Sequence, residues 1–388
     1  MKILHICICG EFYEKYAYQD NLLPKYHKKA GHEVTIIAST RCRFDPKTGK
    51  IIQDRTKCKF LDDGIKVLRV ASIIPLCINK HIHFYGGVSR LIKDEKPDVV
   101  FVHGVESPNY LYLVKYKKDH PNVKIVYDNH TDLVNSQHSI ISKWWAKHII
   151  RDVIVKHLVL TSDHFYGTTP IRCDFLIDFY NVPKEKVIFL PMGADDDSMH
   201  YDLKQQLRNE IRRQYSVRDD EFLIVTGGKI NRKKNIHSLV KAVNNVRLNV
   251  KVLVFGSVVD EMKGILDSMK TDKTIYVGWV PSNEVYKYFY AADLVFFPGL
   301  HSVLWEQAVA CKVPTAFSKI SGFEHVNFNE NAILLENNTP HYYECEISKL
   351  LSTPELYEKL KANSSGEKAE MFLYSRIAQK VLDDILQY

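Results

Sequence analysis

Residues 222–235 read FLIVTGGKINRKKN, and this stretch decides the fold. The apolar run 222–226 predicts a fully buried strand, Gly227 and Gly228 predict a turn, and a helix is expected to begin at Asn235. A strand that is apolar on both faces and leads into a helix is typical of a parallel sheet covered by helices on both sides. The stretch therefore predicts a doubly wound α/β unit.

The same alternation of buried strands and helices occurs twice along the chain. Strands are predicted at 2–8, 34–38, 67–70, 99–102, 124–128, 165–169 and 187–190, and again at 222–226, 252–255, 275–277 and 294–297. Asp20 is expected to cap the first helix, and Gly31 is expected to end it. The polar stretch 195–198 is the predicted linker. Two Rossmann-like domains are therefore expected, presenting one cleft between them.

Length and composition support this organisation. The 388 residues exceed one ordinary core, and 45% hydrophobic with 26% charged residues indicates a globular protein. No apolar run approaches the roughly 20 residues that span a bilayer, and the short apolar start has no signal-peptide pattern. We therefore expect a cytoplasmic protein without a nucleic-acid partner. The net charge of +7 is concentrated in residues 1–200, which contain 29 Lys and Arg against 23 Asp and Glu, so an anionic surface or acceptor is expected there.

The sequence has no pattern typical of a metal site. The eight cysteines are scattered, and Cys7 and Cys9 lie two apart, which suits neither a zinc site nor a redox pair. We expect reduced, mostly packing cysteines. The run Asp195–Asp197 superficially contains a DxD motif, but its place in the linker predicts a solvated turn. No metal and no cofactor are therefore expected.

Candidate ligand-binding residues follow the predicted strands, because ligands of doubly wound sheets bind beyond the carboxyl ends of the strands. That rule selects Gly10, His103, His130, Gly227–Lys234, Gly256 and Gly299–Glu306. Cys9-Gly10-Glu11 provides no GxGxxG after the first strand, which disfavours a dehydrogenase.

The first constellation is Gly228 with the cations Lys229 and Lys234. The glycine lets the backbone approach a ligand closely, and the cations and the following helix N-terminus suit a diphosphate. The spacing is not that of a Walker A loop. A solvated basic turn is the alternative interpretation.

The second constellation is the segment 299–306. The N–H groups of Ser302, Val303 and Leu304 are candidates for binding phosphate or sugar oxygens, and Glu306 for accepting hydrogen bonds from ribose hydroxyls. A carboxylate that only caps the helix is the alternative.

Together and in this order, the two segments resemble the donor domain of retaining GT-B glycosyltransferases of family 4. Gly228-Lys229-Ile230 with Lys234 matches that family's Gly-Arg-hydrophobic segment and the Lys that follows it, with Lys in place of Arg. Glu306, Ala308 and Pro314 match the second half of its paired-glutamate signature. Pro298 stands where the first glutamate belongs, and Lys312 replaces a glycine.

Weaker likenesses extend over nearly the whole chain. They are AGHEV at 30–34, VPKEKV at 182–187, PMGAD at 191–195, GWVP at 278–281 and YAAD at 290–293. The resemblance implies a GT-B fold, with residues 1–195 and a returning C-terminal helix at 373–388 for the acceptor. Residues 198–372 would bind the nucleotide sugar.

The resemblance also implies roles for individual residues. His130 would be the catalytic residue near donor sugar and acceptor, and Gly10 would approach the donor diphosphate. Tyr18-Gln19-Asp20-Asn21 stands where the family has a double glycine. The full set of candidates is donor-binding Gly10, Gly228, Lys229, Lys234, Gly256, Ser302, Val303, Leu304 and Glu306, and acceptor-side Gln19, Asp20, His103 and Asp132.

The implied reaction is transfer of a sugar from a nucleotide-diphosphate sugar to a glycan or lipid-linked acceptor. Retention of the anomeric configuration, a UDP-sugar donor and a role in surface-polysaccharide biosynthesis are expected. A GT-B sugar-nucleotide 2-epimerase and a non-catalytic sugar-binding or scaffold protein are the alternatives. The missing first glutamate is the feature that favours the scaffold.

The segment 139–151 mixes apolar residues, two tryptophans and cations. With Trp144 and Trp145 at the headgroups and Lys143, Lys147 and Arg151 near anionic lipid, it is a candidate peripheral contact on the inner face of a membrane. A helix packed on the sheet is the alternative.

Overall fold

The computed structural model describes residues 1–14, 16–45, 50–132 and 140–387. The chain divides into two compact units. Unit 1 comprises Met1–Pro191 and Ile377–Tyr388, and unit 2 comprises Met192–Arg376.

Unit 1 contains an eight-stranded sheet and a separate two-stranded antiparallel sheet, the latter formed by Arg41–Asp45 and Lys50–Gln53. Its strands are β1 (Lys2–Cys7), β2 (Glu33–Ser39), β3 (Arg41–Asp45), β4 (Lys50–Gln53), β5 (Cys58–Phe60), β6 (Lys66–Val70), β7 (Val99–His103), β8 (Lys124–Asn129), β9 (His164–Gly167) and β10 (Val187–Phe189). Its helices are α1 (Gln19–Lys29), α2 (Leu76–Ile82), α3 (Val88–Glu95), α4 (Leu111–Asp119), α5 (Ile140–Trp145), α6 (Lys156–Leu158) and α7 (Pro170–Asp174). The π-helical segment Ala146–Val155 joins α5 to α6, and a second one, Phe175–Phe179, follows α7.

The sheet of unit 1 has the order β10-β9-β8-β7-β1-β2-β6-β5. All neighbours are parallel except β5, which runs antiparallel to β6. Every residue of β7 is buried, because helices cover both faces of the sheet. The chain order reverses between β1 and β7, so ligands are expected beyond the carboxyl ends of these two strands.

Unit 2 also consists of a sheet of parallel strands connected by helices. Its helices are α8 (Asp196–Met199), α9 (Lys204–Gln214), α10 (Ile236–Asn245), α11 (Asp260–Asp267), α12 (Val285–Ala291), α13 (Leu304–Ala310), α14 (Pro340–Ser352) and α15 (Pro354–Ser364). Its strands are β11 (Phe222–Gly227), β12 (Val250–Phe255), β13 (Thr274–Gly278), β14 (Leu294–Phe297), β15 (Thr315–Ser318) and β16 (Ala332–Leu335). The sheet is parallel throughout, in the order β13-β12-β11-β14-β15-β16, and its order reverses between β11 and β14.

The last helix, α16 (Tyr374–Leu386), begins in unit 2 and ends in unit 1. Within unit 1 the hydroxyl of Tyr166 donates to Asp384 Oδ2 at 3.2 Å, which fastens the end of the helix to β9. The prediction of two doubly wound α/β domains is confirmed.

Two local predictions are wrong. Helix α1 begins at Gln19, so Asp20 lies within its first turn, and its N-cap residue Tyr18 makes no side-chain capping bond. The segment 195–198 is no solvated turn, because Asp195 is buried and accepts from Ser198 Oγ at 2.6 Å. Asp196 also accepts from the backbone N–H of Ser375 at 3.1 Å, which ties the start of α8 to the start of α16.

Two further features concern redox state and membranes. Every cysteine lies within the described residues, and each is a free thiol. Among the helices of the described ranges, none is both long and apolar enough to cross a bilayer.

Candidate functional site

The glycines of unit 2 bring two strand ends into contact. Gly228 follows β11 with φ of +109°, and Gly256 follows β12 with φ of +120°. A Cβ on Gly256 would lie 1.8 Å from the carbonyl oxygen of Gly228, so any other residue there would force the two loops apart. Both glycines were predicted as donor-binding, and the structure places Gly228 at the reversal between β11 and β14.

Lys229 and Lys234 follow this turn in different environments. Lys229 is exposed, whereas Lys234 is half-buried and donates from Nζ to the carbonyl oxygens of Leu300, at 2.6 Å, and His301, at 3.1 Å. Burial lowers the pKa of Lys234 to about 8, although the carboxylate of Glu306 opposes this shift. The contact ties the basic loop after β11 to the loop after β14.

Glu306 lies at the centre of unit 2 and is fully buried. Its Oε1 accepts from Nε2 of His301 and Nε2 of His325, each at 2.8 Å. Burial alone would raise the pKa of Glu306, but His301 and His325 hold it well below its usual range. No described backbone N–H donates to this carboxylate, so the capping alternative is wrong. Its Oε2 has no hydrogen-bond partner among the described residues and can accept from a ligand.

The loop before α13 presents backbone N–H groups. Those of Ser302, Val303 and Leu304 donate to no acceptor among the described residues, as the predicted phosphate or sugar contacts require. The start of the loop is fixed, because the hydroxyl of Tyr343 donates to the carbonyl oxygen of Pro298 at 3.0 Å. Pro298, which stands where the first glutamate belongs, therefore offers no carboxylate, and its carbonyl oxygen is already bonded within unit 2.

The carboxyl ends of β1 and β7 meet where the sheet order of unit 1 reverses. Gly10 follows β1, and its carbonyl oxygen accepts from Ser39 Oγ at 3.2 Å. A Cβ at Gly10 would meet no atom within 4 Å, so there is open space in front of it. His103 ends β7 and is buried.

Asp128, near the end of β8, organises this edge of the sheet. Its fully buried carboxylate accepts from His103 Nδ1 at 2.9 Å, from the N–H of Gly104 at 2.9 Å and from Gln19 Nε2 at 3.0 Å. His130 Nε2 lies 3.2 Å from Oδ2 of the same carboxylate. Burial alone would raise the pKa of Asp128, but His130 and His103 lower it well below its usual range. The predicted residues Gln19, His103 and His130 are thus held by one carboxylate.

A row of imidazoles leads from this carboxylate into the core of unit 1. His103 Nε2 lies 3.1 Å from His5 Nδ1, and His5 Nε2 lies 3.1 Å from His27 Nδ1. Burial lowers the pKa of His5 well below its usual value and that of His27 to about 3, so both are neutral. Burial would also lower the pKa of His103, but Cys7, Asp128 and Asp20 outweigh it and raise that pKa. Among these three imidazoles, only His103 has a raised pKa.

The remaining acceptor-side candidates differ in position. Asp20 Oδ1 lies 3.5 Å from His103 Nδ1, so it borders the cluster around Asp128. Asp132 is buried and pairs with Arg172 Nε at 3.3 Å. The structure thus brings Asp20 to the site and gives Asp132 a structural partner.

Within the described ranges of the chain, two groups have the spacing of metal ligands, although the sequence shows no such pattern. The ligand atoms of Asp20, His103 and His130 lie within 4.8 Å of one another, as do those of the His301, Glu306 and His325 group. Both groups unite residues from distant segments, which is why local spacing did not indicate them. In unit 2 the two imidazoles already donate to one carboxylate oxygen.

The predicted membrane segment is described from Ile140 onward, so Ser139 lies outside the described residues. Ile140, Ile141 and Trp144 are exposed, whereas Trp145 packs against the core of unit 1. Arg151 pairs with Asp152 at 2.7 Å. Trp145 therefore lies against the core, the exposed apolar part of the segment is the start of α5, and contact of the segment with a membrane stays a prediction.

Several residues at these sites were missed from sequence. Asp128 directly precedes Asn129-His130 at a strand end, so the rule that selected His130 could also have selected it. His5 lies within an apolar run that predicts only a buried strand. His325 lies in a segment where no sequence motif indicates a functional site. They become visible only when the chain is folded.

Comparison with known proteins identifies the domains. Residues 22–198 match the family model described as Glycosyltransferase Family 4, and residues 208–366 match Glycosyl transferases group 1. The chain is similar to the uncharacterized glycosyltransferase MJ1607 of Methanocaldococcus jannaschii, with 23% identity over 215 residues, 53% of this chain and 55% of that protein. It is also similar to the processive diacylglycerol alpha-glucosyltransferase of Acholeplasma laidlawii, with 22% identity over 253 residues, 62% of this chain and 70% of that protein. The chain spans about half the length of the first of these relatives.

A solved structure resembles the entire chain. Alr3699/HepE of Anabaena, determined in complex with UDP, superposes with a TM-score of 0.70 and 14% identity, covering 100% of both chains. At this identity the likeness establishes the fold, which is GT-B.

Proposed function

We propose that this protein, which belongs to the glycosyltransferases of the GT-B fold, transfers a sugar from a nucleotide-diphosphate sugar to a glycan or lipid-linked acceptor. Unit 2 binds the donor and unit 1 the acceptor. One observation carries the proposal. Where the strand order of the unit 2 sheet reverses, Gly228 follows β11, and Lys234 contacts the loop after β14 that leads to Glu306. The UDP held by the Anabaena protein supports a UDP-sugar.

Donor binding uses three kinds of group. Lys229 and Lys234 pair with the diphosphate, and the free N–H groups of Ser302 to Leu304 add neutral donors. Glu306 Oε2 accepts from the ribose hydroxyls, which satisfies a buried oxygen that has no partner among the described residues. Each of these contacts acts on the nucleotide, so they leave the identity of the sugar open.

The transfer proceeds with retention of the anomeric configuration. The bond between the anomeric carbon and the diphosphate oxygen breaks, and the acceptor oxygen forms its bond on the same face. The acceptor proton passes to the departing diphosphate. Lys229 and Lys234 stabilise the charge that develops on the leaving group. His130, held by Asp128, orients donor and acceptor.

A lipid-linked acceptor and a role in surface-polysaccharide assembly form part of the proposal. The Acholeplasma relative is named for diacylglycerol, an apolar acceptor. Exposed Ile140, Ile141 and Trp144, with Lys143 and Lys147 beside them, suit peripheral contact with an anionic membrane. The basic balance of the first 200 residues points in the same direction.

Calorimetric titration with UDP, GDP and ADP tests the donor site. We expect UDP to bind, and Glu306→Gln together with Lys234→Ala to abolish binding. The matched control is Lys241→Ala, an exposed lysine on α10. If none of the three nucleotides binds the parent protein, the proposal fails.

The reaction itself is tested by incubating UDP-glucose, UDP-galactose or UDP-N-acetylglucosamine with a glycan extract and reading the anomeric proton of the product by NMR. A product with the donor's configuration supports retention, and an inverted product contradicts it. Conversion of the sugar at its C2 without acceptor would identify a 2-epimerase. Binding without any turnover would identify a scaffold protein.

A further inference from the structure

Unit 1 contains a second concave region, away from the cluster around Asp128. It is a pocket of about 810 Å³, a volume within the range of small-molecule sites. Thr40, directly after β2, and Ala71 and Ser72, directly after β6, line it. The pocket therefore lies at the carboxyl edge of the sheet, where doubly wound folds bind ligands.

Part of the lining of the pocket is cationic. Arg55, Lys57, Arg69 and Arg90 line it, with Asp94 as the single carboxylate of the lining. Arg69 is neutralised by Asp54, 3.1 Å from its Nε, and by Glu14. Arg90 lies 3.6 Å from Asp94. Arg55 and Lys57 are exposed, and no described residue forms an ion pair with either, so they are available to an anion.

Another part of the lining is apolar. Ile74, Pro75 and Leu76 line it, and Leu76 is also exposed to solvent. Next to them, Ile73 is 58% and Ile78 is 48% exposed. In α2 the buried residue is the polar Asn79, whose Oδ1 accepts from the N–H of Phe84 at 2.6 Å. A helix that buries its amide and exposes its aliphatic side chains reverses the usual pattern, so an apolar ligand is expected to cover them.

We propose that this pocket binds the phosphate of an acceptor whose other part is a long apolar chain. Arg55 and Lys57 bind the phosphate, and Leu76 and Ile78 contact the first part of the chain. Two unpaired cations suit the negative charge of this phosphate, which is held but does not react, since the hydroxyl that accepts the sugar belongs to another part of the lipid-linked acceptor. The inference rests on the proposed function, because it assigns the pocket to the acceptor of that reaction.

The probe is farnesyl phosphate, used below the concentration at which it forms micelles and titrated into the full chain. Arg55→Gln with Lys57→Gln is expected to weaken its binding about tenfold to a hundredfold, the value of charge-assisted hydrogen bonds. Leu76→Ser with Ile78→Ser is also expected to weaken it. Lys115→Gln with Lys118→Gln removes the same charge from exposed positions of α4 and is expected to change nothing. Circular dichroism checks that each variant is folded.

Further measurements separate the possible occupants. Farnesol, which lacks the phosphate, is expected to bind equally weakly to the parent protein and to the Arg55/Lys57 variant. Equal binding of farnesyl phosphate to the parent protein and to that variant would overturn the proposal. Binding to phosphatidylglycerol vesicles through Arg55 and Lys57, with no binding of monomeric farnesyl phosphate, would also overturn it and indicate a bilayer headgroup. Dimerisation that Leu76→Ser with Ile78→Ser abolishes would indicate a second copy of the chain and overturn it as well.

The test is independent of the donor site. UDP affinity is measured on the same samples, and the pocket variants are expected to leave it unchanged. A protein that binds UDP but not farnesyl phosphate keeps the proposed function and refutes this inference. A protein that binds farnesyl phosphate but not UDP keeps the pocket as an amphiphile site and refutes the donor proposal.

Discussion

The pKa of Lys234 makes donor binding dependent on pH in a direction that can be worked out. Burial places that pKa at about 8 in the free protein. The ammonium form therefore falls from roughly nine-tenths at pH 7 to about one-tenth at pH 9. The terminal phosphate of UDP, with a pKa of about 6, is already ionised over this range. If only the ammonium form pairs with the diphosphate, UDP affinity falls about tenfold between pH 7 and pH 9, or about 1.4 kcal/mol.

The direction of this pH dependence follows from the coupling between UDP binding and protonation of Lys234. Bound diphosphate favours the charged amine, so binding raises the pKa of Lys234 and takes up a proton above pH 8. Calorimetry in two buffers with different ionisation enthalpies measures both the affinity and the proton uptake. We expect uptake of up to one proton at pH 9 and little at pH 7.

Two variants isolate the lysine. Lys234→Arg keeps its charge throughout, so its UDP affinity should stay level from pH 7 to pH 9. Lys229→Ala should bind more weakly by about 1–3 kcal/mol while keeping the pH dependence. A parent protein whose affinity is constant over this range, or a Lys234→Ala variant with the parental pH dependence, would refute the reasoning.

Three further outcomes are expected. Glu306→Gln should reduce affinity for UDP more than for 2′-deoxy-UDP in calorimetry, because the amide accepts fewer ribose hydroxyls; equal losses would indicate a structural role alone. Trp144→Ala with Ile141→Ala should reduce flotation with phosphatidylglycerol vesicles, whereas Leu160→Ala, also exposed, should not; unchanged flotation would exclude this surface. Asp128→Asn should lower the free energy of unfolding by about 1–3 kcal/mol in urea at pH 7, because the amide cannot accept from every donor around it. Since the folded pKa of Asp128 is depressed, this contribution is present above its ordinary value of about 3.9 and should disappear as the pH falls further; a stability difference that persists in acid would contradict it.

The fold was predictable because its signals are local. The apolar run 222–226 followed by Gly227 and Gly228 specifies a buried strand and a turn without reference to the rest of the chain. The antiparallel pair β3 and β4 was missed, because Arg41–Asp45 and Lys50–Gln53 mix charged and apolar residues. Pairing between such strands depends on their partner more than on their own pattern.

The sequence predicted which residues form the proposed donor site better than it predicted their burial and contacts. Lys229 and Lys234 are marked by their spacing after Gly228, but the half-buried state of Lys234 comes from its contact with the carbonyl oxygens of Leu300 and His301. Contacts across so many positions cannot be inferred from one sequence. The same limit explains why Asp195, which looks like part of a polar linker, is buried.

The acceptor-side residues of unit 1 show more clearly which contacts cannot be predicted from one sequence. His130 was selected by its place after a strand, yet its orientation depends on Asp128, and that carboxylate is also bonded to Gln19 from α1 and His103 from β7. A parallel sheet brings such residues together only through its strand order, here the reversal between β1 and β7. Strand ends can therefore be predicted one by one, whereas their shared partner requires the topology.

The charges around the donor site explain how a diphosphate can be held there by side chains. Within a nucleotide-diphosphate sugar each phosphate carries one negative charge, and Lys229 and Lys234 provide two positive charges. Glu306 offsets one of these positive charges, but its carboxylate also favours the ammonium form of Lys234, because it opposes the lowering of that pKa by burial. The ionisation of Lys234 therefore decides whether the two lysines of the proposed donor site provide two positive charges or one.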